Sequence, residues 1–404
     1  MRKIGLSKTI SHRGASTMSY NTSLFGQILK IIPASAFARA VRETNAERHS
    51  KGFSSWDQFV AMLFCQFTQS KSLREVSDGL RVTCGKLNHL RVASAPAKST
   101  LAYANAHRPW QLYEKLFMNL LATCHRESPG KKRKFRFKNP LFSLDATTID
   151  LCLSLFPWAK FRQTKGAVKL HLLLDHDGYL PSFAVITEGA VHEVNIARDL
   201  VLPVGSIVAM DRGYNDYALF ERWTQQGVYF VTRQKENAAY EVVEEYALPQ
   251  NSNIRADQNI RLTSAKGVKT CPSTLRRVVV WDEQNEREIV LLTNHLGFGS
   301  TTIAAIYKDR WEIELFFKVL KQHLKIKTFI GTTENALKTQ IWTALITILL
   351  IKYLQFKSKC GWALCRLVAL LRLNLFSYRQ LWSWLDNPFE VPPEQPPYQA
   401  ELAF

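Results

Sequence analysis

Three carboxylates stand out as groups that could hold a hard cation. Asp145 ends a short apolar run, Leu141–Leu144, and Asp211 ends another, Ile207–Met210. A carboxylate at the end of a buried strand is exposed at a sheet edge yet held by rigid backbone, and ions such as Mg2+ take oxygen ligands of this kind. An aspartate after a strand also serves as an ordinary turn or cap residue. The third acid has a more telling setting. The run Ile306–Leu324 reads as one helix, in which Tyr307, Arg310, Glu314 and Lys321 follow at spacings of 3, 4 and 7. With about 3.6 residues per turn these positions share one face. That face presents a phenol, a guanidinium, a carboxylate and an ammonium together. Ile306, Ile313, Phe317 and Leu320 form an apolar stripe suited to packing the helix on a sheet. Glu312, two residues from Arg310, points elsewhere. The same residues also suit a surface helix with an Arg310–Glu314 pair one turn apart.

The elements that must position these groups follow from periodicity. Val168–Leu174 and Tyr179–Thr187 flank Asp175-His176-Asp177-Gly178, and Asp-Gly between apolar runs predicts a hairpin. Tyr229–Thr232 reads as a further strand, and Val194–Leu200 and Asp216–Gln225 as helices. Strands in succession, then strands alternating with helices, predict an α/β chain with a mixed sheet flanked by helices. Residues 141–235 form its first part. Residues 236–300, with strands Arg277–Trp281 and Glu288–Leu292, read as an inserted all-β subdomain. Residues 301–330 carry the Glu314 helix. Residues 331–404 are helical until a Pro-rich tail at Pro388–Pro397.

Upstream, residues 1–127 read as a helical domain. Ser55 is placed as a helix cap, a second helix starts from Ser72, and a third starts at Ser99 and stops before Pro109. Short helices flanked by Lys98 and Arg108 suggest a helix-turn-helix-like DNA reader, and an ordinary helical bundle fits the same pattern. Residues 128–140 form a basic linker or strand edge, with charges from Lys131 to Lys138 to track phosphates and Phe135 and Phe137 to pack or stack.

Composition narrows the partner. The chain has 404 residues and a net charge of +19. Residues 1–140 hold 24 Lys+Arg against 7 Asp+Glu, whereas the rest holds 29 against 27. A strongly basic front beside a nearly neutral body fits a polyanion such as nucleic acid. The seven cysteines have no C-x-x-C spacing, so reduced thiols in a cytosol are expected, with Cys360 and Cys365 read as packing residues. Residues 1–20 lack the apolar core of a signal peptide. The best membrane candidate, Ile341–Leu354, is 14 residues long. A spanning helix needs about 20, so a buried helix is expected.

The pattern Tyr307-x-x-Arg310-x-x-x-Glu314-x-x-x-x-x-x-Lys321 resembles the YREK signature of DDE transposases of the IS-four family of bacterial insertion sequences. Asp145, in Ser143-Leu144-Asp145-Ala146-Thr147-Thr148, and Asp211, in Ala209-Met210-Asp211-Arg212-Gly213-Tyr214, resemble the family's two catalytic aspartates. The resemblance implies a ribonuclease-H-like sheet, a β insertion and an N-terminal DNA-binding region. It implies that Asp145, Asp211 and Glu314 ligate two Mg2+ ions, with Mn2+ able to substitute, and that Tyr307, Arg310 and Lys321 hold a DNA phosphate. His192 and Arg233 resemble positions near the site. The implied partners are double-stranded DNA, as terminal inverted repeats and as target, and a second copy in the DNA complex. No membrane is implied, and the cytoplasm is the expected location. The implied activity is excision and integration by phosphoryl transfer. Alternatives are a hydrolytic nuclease on the same fold and a transposase-derived DNA-binding protein without cleavage. A glycosidase using two carboxylates fits poorly with the basic front. The pattern departs at one place. Some relatives carry a Trp in the insertion for stacking on a flipped base, but Glu288–Leu292 has none, and Trp281 lies on the preceding strand. A hairpin intermediate is therefore not implied.

Overall fold

The computed structural model describes residues 22–390 except 49, 84–86, 128–133, 163–164, 325 and 327. Lys131–Arg133, Cys84, the first 21 residues and the tail beyond Glu390 lie outside them. Six helices open the described chain: α1 (Leu24–Leu29), α2 (Ala34–Thr44), α3 (Ser55–Thr68), α4 (Leu73–Arg81), α5 (Lys98–His107) and α6 (Gln111–Glu127). The cap of α3 is Ser54 rather than Ser55. Its hydroxyl accepts from Asp57 N while Asp57 bonds back to the Ser54 backbone, a reciprocal capping box. Ser72 caps α4 as the sequence predicts.

The sheet follows. Its strands are β1 (Leu141–Leu151), β2 (Lys160–Arg162), β3 (Lys165–Asp175), β4 (Leu180–Glu188), β5 (Ile207–Met210), β6 (Tyr229–Arg233), β7 (Tyr240–Glu245), β8 (Ile254–Leu262), β9 (Leu275–Asp282) and β10 (Arg287–Thr293). The helices among them are α7 (Glu193–Asp199), α8 (Tyr217–Gln225) and α9 (Ala265–Thr270). The strand order is β2-β3-β1-β5-β6-β10-β9-β8-β7, with β4 on β3. β1, β5 and β6 run parallel, and β3 and β4 are antiparallel to their neighbours. This is the ribonuclease-H-like mixed sheet, with helices on both faces. β5 is apolar at every position because both its faces are covered.

The segment 236–300 is not a free-standing all-β unit. β10 pairs antiparallel with β6, so its strands extend the same sheet, and α9 lies within the segment. It covers the edge of β6, and the sheet now ends on that side at the largely exposed β7.

The remaining helices are α10 (Ser300–Asp309), α11 (Trp311–His323), α12 (Glu334–Lys357), α13 (Leu364–Asn374) and α14 (Leu381–Asp386). The expected single helix over Ile306–Leu324 is therefore two, joined at Arg310 and ending with Leu324 outside α11. Packing explains the bend. Ile306 joins an apolar cluster with Leu141, Ile207 and Ala209. Ile313, Phe317 and Leu320 join a different cluster, which includes Ile149 and Leu151. One straight helix cannot serve both.

The helical front is not independent of the tail. α12 packs on α3, α5 and α6, and one apolar cluster contains residues from α1 to α6 and from α11 to α14. Leu24 N bonds to Ser377 O and Phe25 N to Leu375 O. α12 has 24 residues, longer than the expected 14, so by length and composition it could cross a membrane. Its polar side chains show why it is a core helix. Gln340 Oε1 accepts from Ile330 N and its amide donates to Thr328 O, while buried Gln66 donates to Gln340 O. Cys365 is exposed and Cys360 half-buried, so the first is not the packing residue expected.

In the basic run, charge and ring alternate. Lys134, Arg136 and Lys138 are exposed, while Phe135 and Phe137 are half-buried. Phe137 stacks on Phe298 at a centroid distance of 4.9 Å. These rings are thus engaged by the protein itself.

Candidate active site

Asp145 does not end its strand, as expected, but lies inside the longer β1. What ends there is its neighbour. β1 and β5 pair in register from Leu141↔Ile207 to Leu144↔Met210, and β5 then stops. Asp145 and Asp211 are the next residues on two adjacent parallel strands, outside the carboxyl end of β5. Open α/β sheets place their ligand crevices there. Alternation puts Leu141, Ser143 and Asp145 of β1, and Ile207, Ala209 and Asp211, on one sheet face. α10 covers the apolar residues of that face. Further along β1 the same face carries Ile149 and Leu151, packed in the cluster of α11. Asp145 therefore occupies the polar gap between two apolar clusters, opposite the bend at Arg310.

The bend delivers Arg310 and Glu314 to that gap. Arg310 is only 8% exposed, and one of its guanidinium nitrogens lies 3.4 Å from Asp145 Oδ2 and 3.4 Å from Glu314 Oε1. Its carbon sits 5.5 Å from the centre of the Tyr307 ring. Lys321 Nζ donates to the Thr148 carbonyl at 3.0 Å. Lys321 is thereby tied to β1 three residues beyond Asp145.

Burial dominates the electrostatics. The Asp145 side chain is 15% exposed, and its carboxyl is pushed up to about 7, chiefly by burial. Arg310 and the Ala146 N–H oppose the rise, and Glu314 and Asp211 add to it. Burial also pushes the Tyr307 phenol up, with Asp211 adding and Arg310 opposing. Tyr307 thus stays a neutral hydrogen-bond donor.

Of the flanking residues, Arg233 ends β6 and opposes the rise of the Tyr307 phenol, so it stands in the same field. His192 is exposed at the amino end of α7 and makes no side-chain cap bond there. Two neighbours escaped the sequence analysis. A carbon placed on Gly213 would lie 3.1 Å from Glu193 Oε2, so this carboxylate closes on the turn after Asp211. Lys169 Nζ balances it at 3.3 Å. Tyr214 is fully buried, and its hydroxyl lacks a hydrogen-bond partner among the described residues. Burial pushes that phenol well up, with Asp145, Glu193 and Asp211 adding. Nothing in residue type marks either residue. The one available signal is adjacency in the chain, of Tyr214 to Asp211 and of Glu193 to His192.

Two aspartates on adjoining parallel strands, one inside β1 and one just past the end of β5, faced by a helix bearing a third acid and an arginine, define a phosphoryl-transfer enzyme on a ribonuclease-H-like sheet. The chain belongs to the family described as Transposase DDE domain, whose model matches residues 136–350; it is a transposase of bacterial insertion sequences. Residues 20–92 match a domain of unknown function (DUF4372). The chain is 31% identical over 262 residues to a probable transposase for insertion sequence element IS5377 from Geobacillus stearothermophilus, across 65% of this chain and 68% of that protein. It is 30% identical over 319 residues to the putative transposase y4zB of Sinorhizobium fredii, across 77% and 87%. A putative transposase for insertion sequence element IS4SA from Synechocystis is 28% identical over 255 residues, across 61% and 69%. A fainter likeness, TM-score 0.47 at 12% identity over 95% of this chain and 86% of the other, is to a piggyBac transposase synaptic complex with hairpin DNA.

The family binds DNA, cleaves and transfers its strands, and works with divalent metal. The donor set here fits a hard cation. Asp145 and Glu314 share Arg310 as a bridging cation, and Asp211 is near enough for its charge to raise the Asp145 carboxyl. Burial is the main cause of the upward displacement of Asp145, and this arginine offsets it only in part. Among the described residues, no three potential ligands are yet drawn around one point. The arginine bridge holds Asp145 and Glu314 instead.

Proposed function

We propose that Asp145, Asp211 and Glu314 hold two Mg2+ ions, with Mn2+ able to substitute, in an enzyme that excises and integrates an insertion sequence at its terminal inverted repeats. The single observation behind this is the convergence of Asp145, Glu314 and Arg310 beside the strand end that carries Asp211. Bound ions would activate water or a DNA 3′-hydroxyl as the nucleophile and stabilise the leaving oxygen. The protein's own residues do the rest. The β1–β3 ladder fixes Asp145, and β5 ends at Met210, the residue before Asp211. Arg310 suits a two-pronged phosphate contact, and Lys321 a point-charge contact. Tyr307 donates from its neutral phenol, with Arg233 and His192 at the margin. Arg310, which here bridges Asp145 and Glu314, would be released to a DNA phosphate if cations took over those carboxylates. A second copy completes the complex on DNA, and the reaction runs in the cytoplasm.

Glu314→Gln tests the assignment. The amide keeps shape but loses the charge a hard cation needs. Mg2+-dependent strand cleavage is expected to vanish, while gel-shift binding to the element's end stays within a few-fold of the parent. Cleavage at the parent rate would remove Glu314 from the metal site.

A further inference from the structure

Beside the carboxylate site lies a second polar cluster that the reaction does not use directly. Asp309, the last residue of α10, is 3% exposed. Its carboxylate accepts from His176 Nδ1 at 2.6 Å, from Tyr179 OH at 3.3 Å, and from Lys134 Nζ. His176 in turn meets Ser143 Oγ through Nε2 at 2.7 Å. Its backbone N–H also bonds to Leu141 O at 3.0 Å. Ser143 is fully buried, so this Ser–His–Asp line offers no nucleophile to a substrate. What it does is join four separate pieces of chain: the basic run, the β3–β4 turn, β1 and the end of α10.

The position of those pieces is informative. Ser143 lies two residues before Asp145, on the same face of β1. Asp309 immediately precedes Arg310, where α10 gives way to α11. One relay therefore pins both partners of the Arg310–Asp145 contact from behind. Burying Asp309 is costly unless its charge is matched. Here Lys134 and two hydrogen bonds, from His176 and Tyr179, match it in one geometry, which specifies where the bend falls. Lys134 belongs to the basic run whose neighbours Arg136 and Lys138 are exposed, so the segment suited to tracking phosphates is anchored on this carboxylate.

We propose that Asp309, held by His176 and Lys134, is a positioning residue that fixes the α10–α11 bend against β1 and so sets Arg310 and Asp145 for strand cleavage. The proposal rests on the reading of Asp145 and Glu314 as the reactive centre.

The test is single-turnover cleavage of element-end DNA by the full chain at saturating DNA, with DNA affinity and melting temperature measured alongside. Asp309→Asn keeps shape and removes the charge. His176→Phe removes both imidazole contacts, and His176→Asn restores a donor near Nδ1 for Asp309. Losing a hydrogen bond to a charged group corresponds to roughly tenfold to a hundredfold in rate. Asp309→Asn and His176→Phe are expected to lose that much in the cleavage rate constant, with DNA affinity within about twofold. His176→Asn should recover part of the rate. Cleavage by Asp309→Asn and His176→Phe within twofold of the parent overturns the proposal. So does a loss that follows melting temperature across all three variants. If Asp309→Asn does not fold, Ser143→Ala decides. It deletes one buried hydroxyl, should slow cleavage at saturating DNA, and counts against the proposal if it does not. Glu314→Gln in the same assay separates two failures. Its activity would undo the reactive-centre reading, whereas its inactivity beside active Asp309 and His176 variants would undo the positioning role alone.

Discussion

Replacing Asp145 by Asn is expected to make the metal-free protein more stable at alkaline pH. Burial lifts the Asp145 carboxyl from its ordinary 3.8 to about 7. Each unit is worth about 1.36 kcal/mol. The roughly three-unit displacement therefore sets an upper limit of about 4 kcal/mol on the cost of ionising this group in the folded state. The sign follows from a folded value above the unfolded one. Below about pH 4 both states are protonated and there is no cost. As pH rises from 4 to 7 the unfolded chain ionises while the folded chain does not, and stability is lost until the cost levels off above 7. The amide does not titrate and still accepts from Arg310. The variant's advantage should thus be about 2 kcal/mol larger at pH 8 than at pH 5.5. Denaturant unfolding in excess chelator at the two pH values measures it. Adding Mn2+ should then narrow the gap, because only the parent gains stability by binding the ion. A variant no more stable than the parent at pH 8 in chelator would refute the claim that this carboxyl is held dehydrated and undercompensated.

Three further outcomes follow from the same geometry. Arg310→Ala frees Asp145 and Glu314 of their shared partner, so Mn2+ affinity by isothermal titration should not fall, while cleavage should drop roughly tenfold to a hundredfold; an affinity loss matching that of Glu314→Gln would refute the phosphate role. Truncation after residue 330 removes α12 and uncovers Phe59, Leu63 and Phe67 of α3, so the product should aggregate or unfold without cooperativity, and a soluble product with a sharp melting transition would contradict the shared core. Duplex binding by the full chain should weaken steeply with salt, since each neutralised phosphate contributes close to one unit of log–log slope; a flat dependence would argue against the basic front as the DNA contact.

The catalytic sheet was legible because its runs are locally unambiguous. Ile207–Met210 appears as β5 with the expected bounds, and the Asp-Gly turn lies between β3 and β4 as predicted. Divisions between units were less legible, since composition marks a change of element and not a change of partner. The basic front looks separate by charge, yet its apolar faces are completed by α12, more than 200 residues away in the chain. The β segment after residue 235 looks like an insert by polarity, but an unpaired strand edge is invisible in sequence, and it is that edge which makes it part of the sheet.

The site shows the same division between local and distant information. Spacing alone predicts that Tyr307, Arg310 and Glu314 share a face, and their contacts in the structure agree even though the helix breaks between them. The reason is that Arg310 keeps helical angles, φ −51° and ψ −28°, so the bend changes axis direction more than it changes which side chains are neighbours. What spacing could not show is the cause of the bend. It arises from two apolar clusters claiming opposite ends of one run, and from Asp309 being drawn inward by a histidine more than 130 residues earlier. A buried aspartate beside an arginine looks, in one dimension, like an ordinary surface pair. Only the partners brought by the fold turn one into an anchor and leave the other facing the carboxylates.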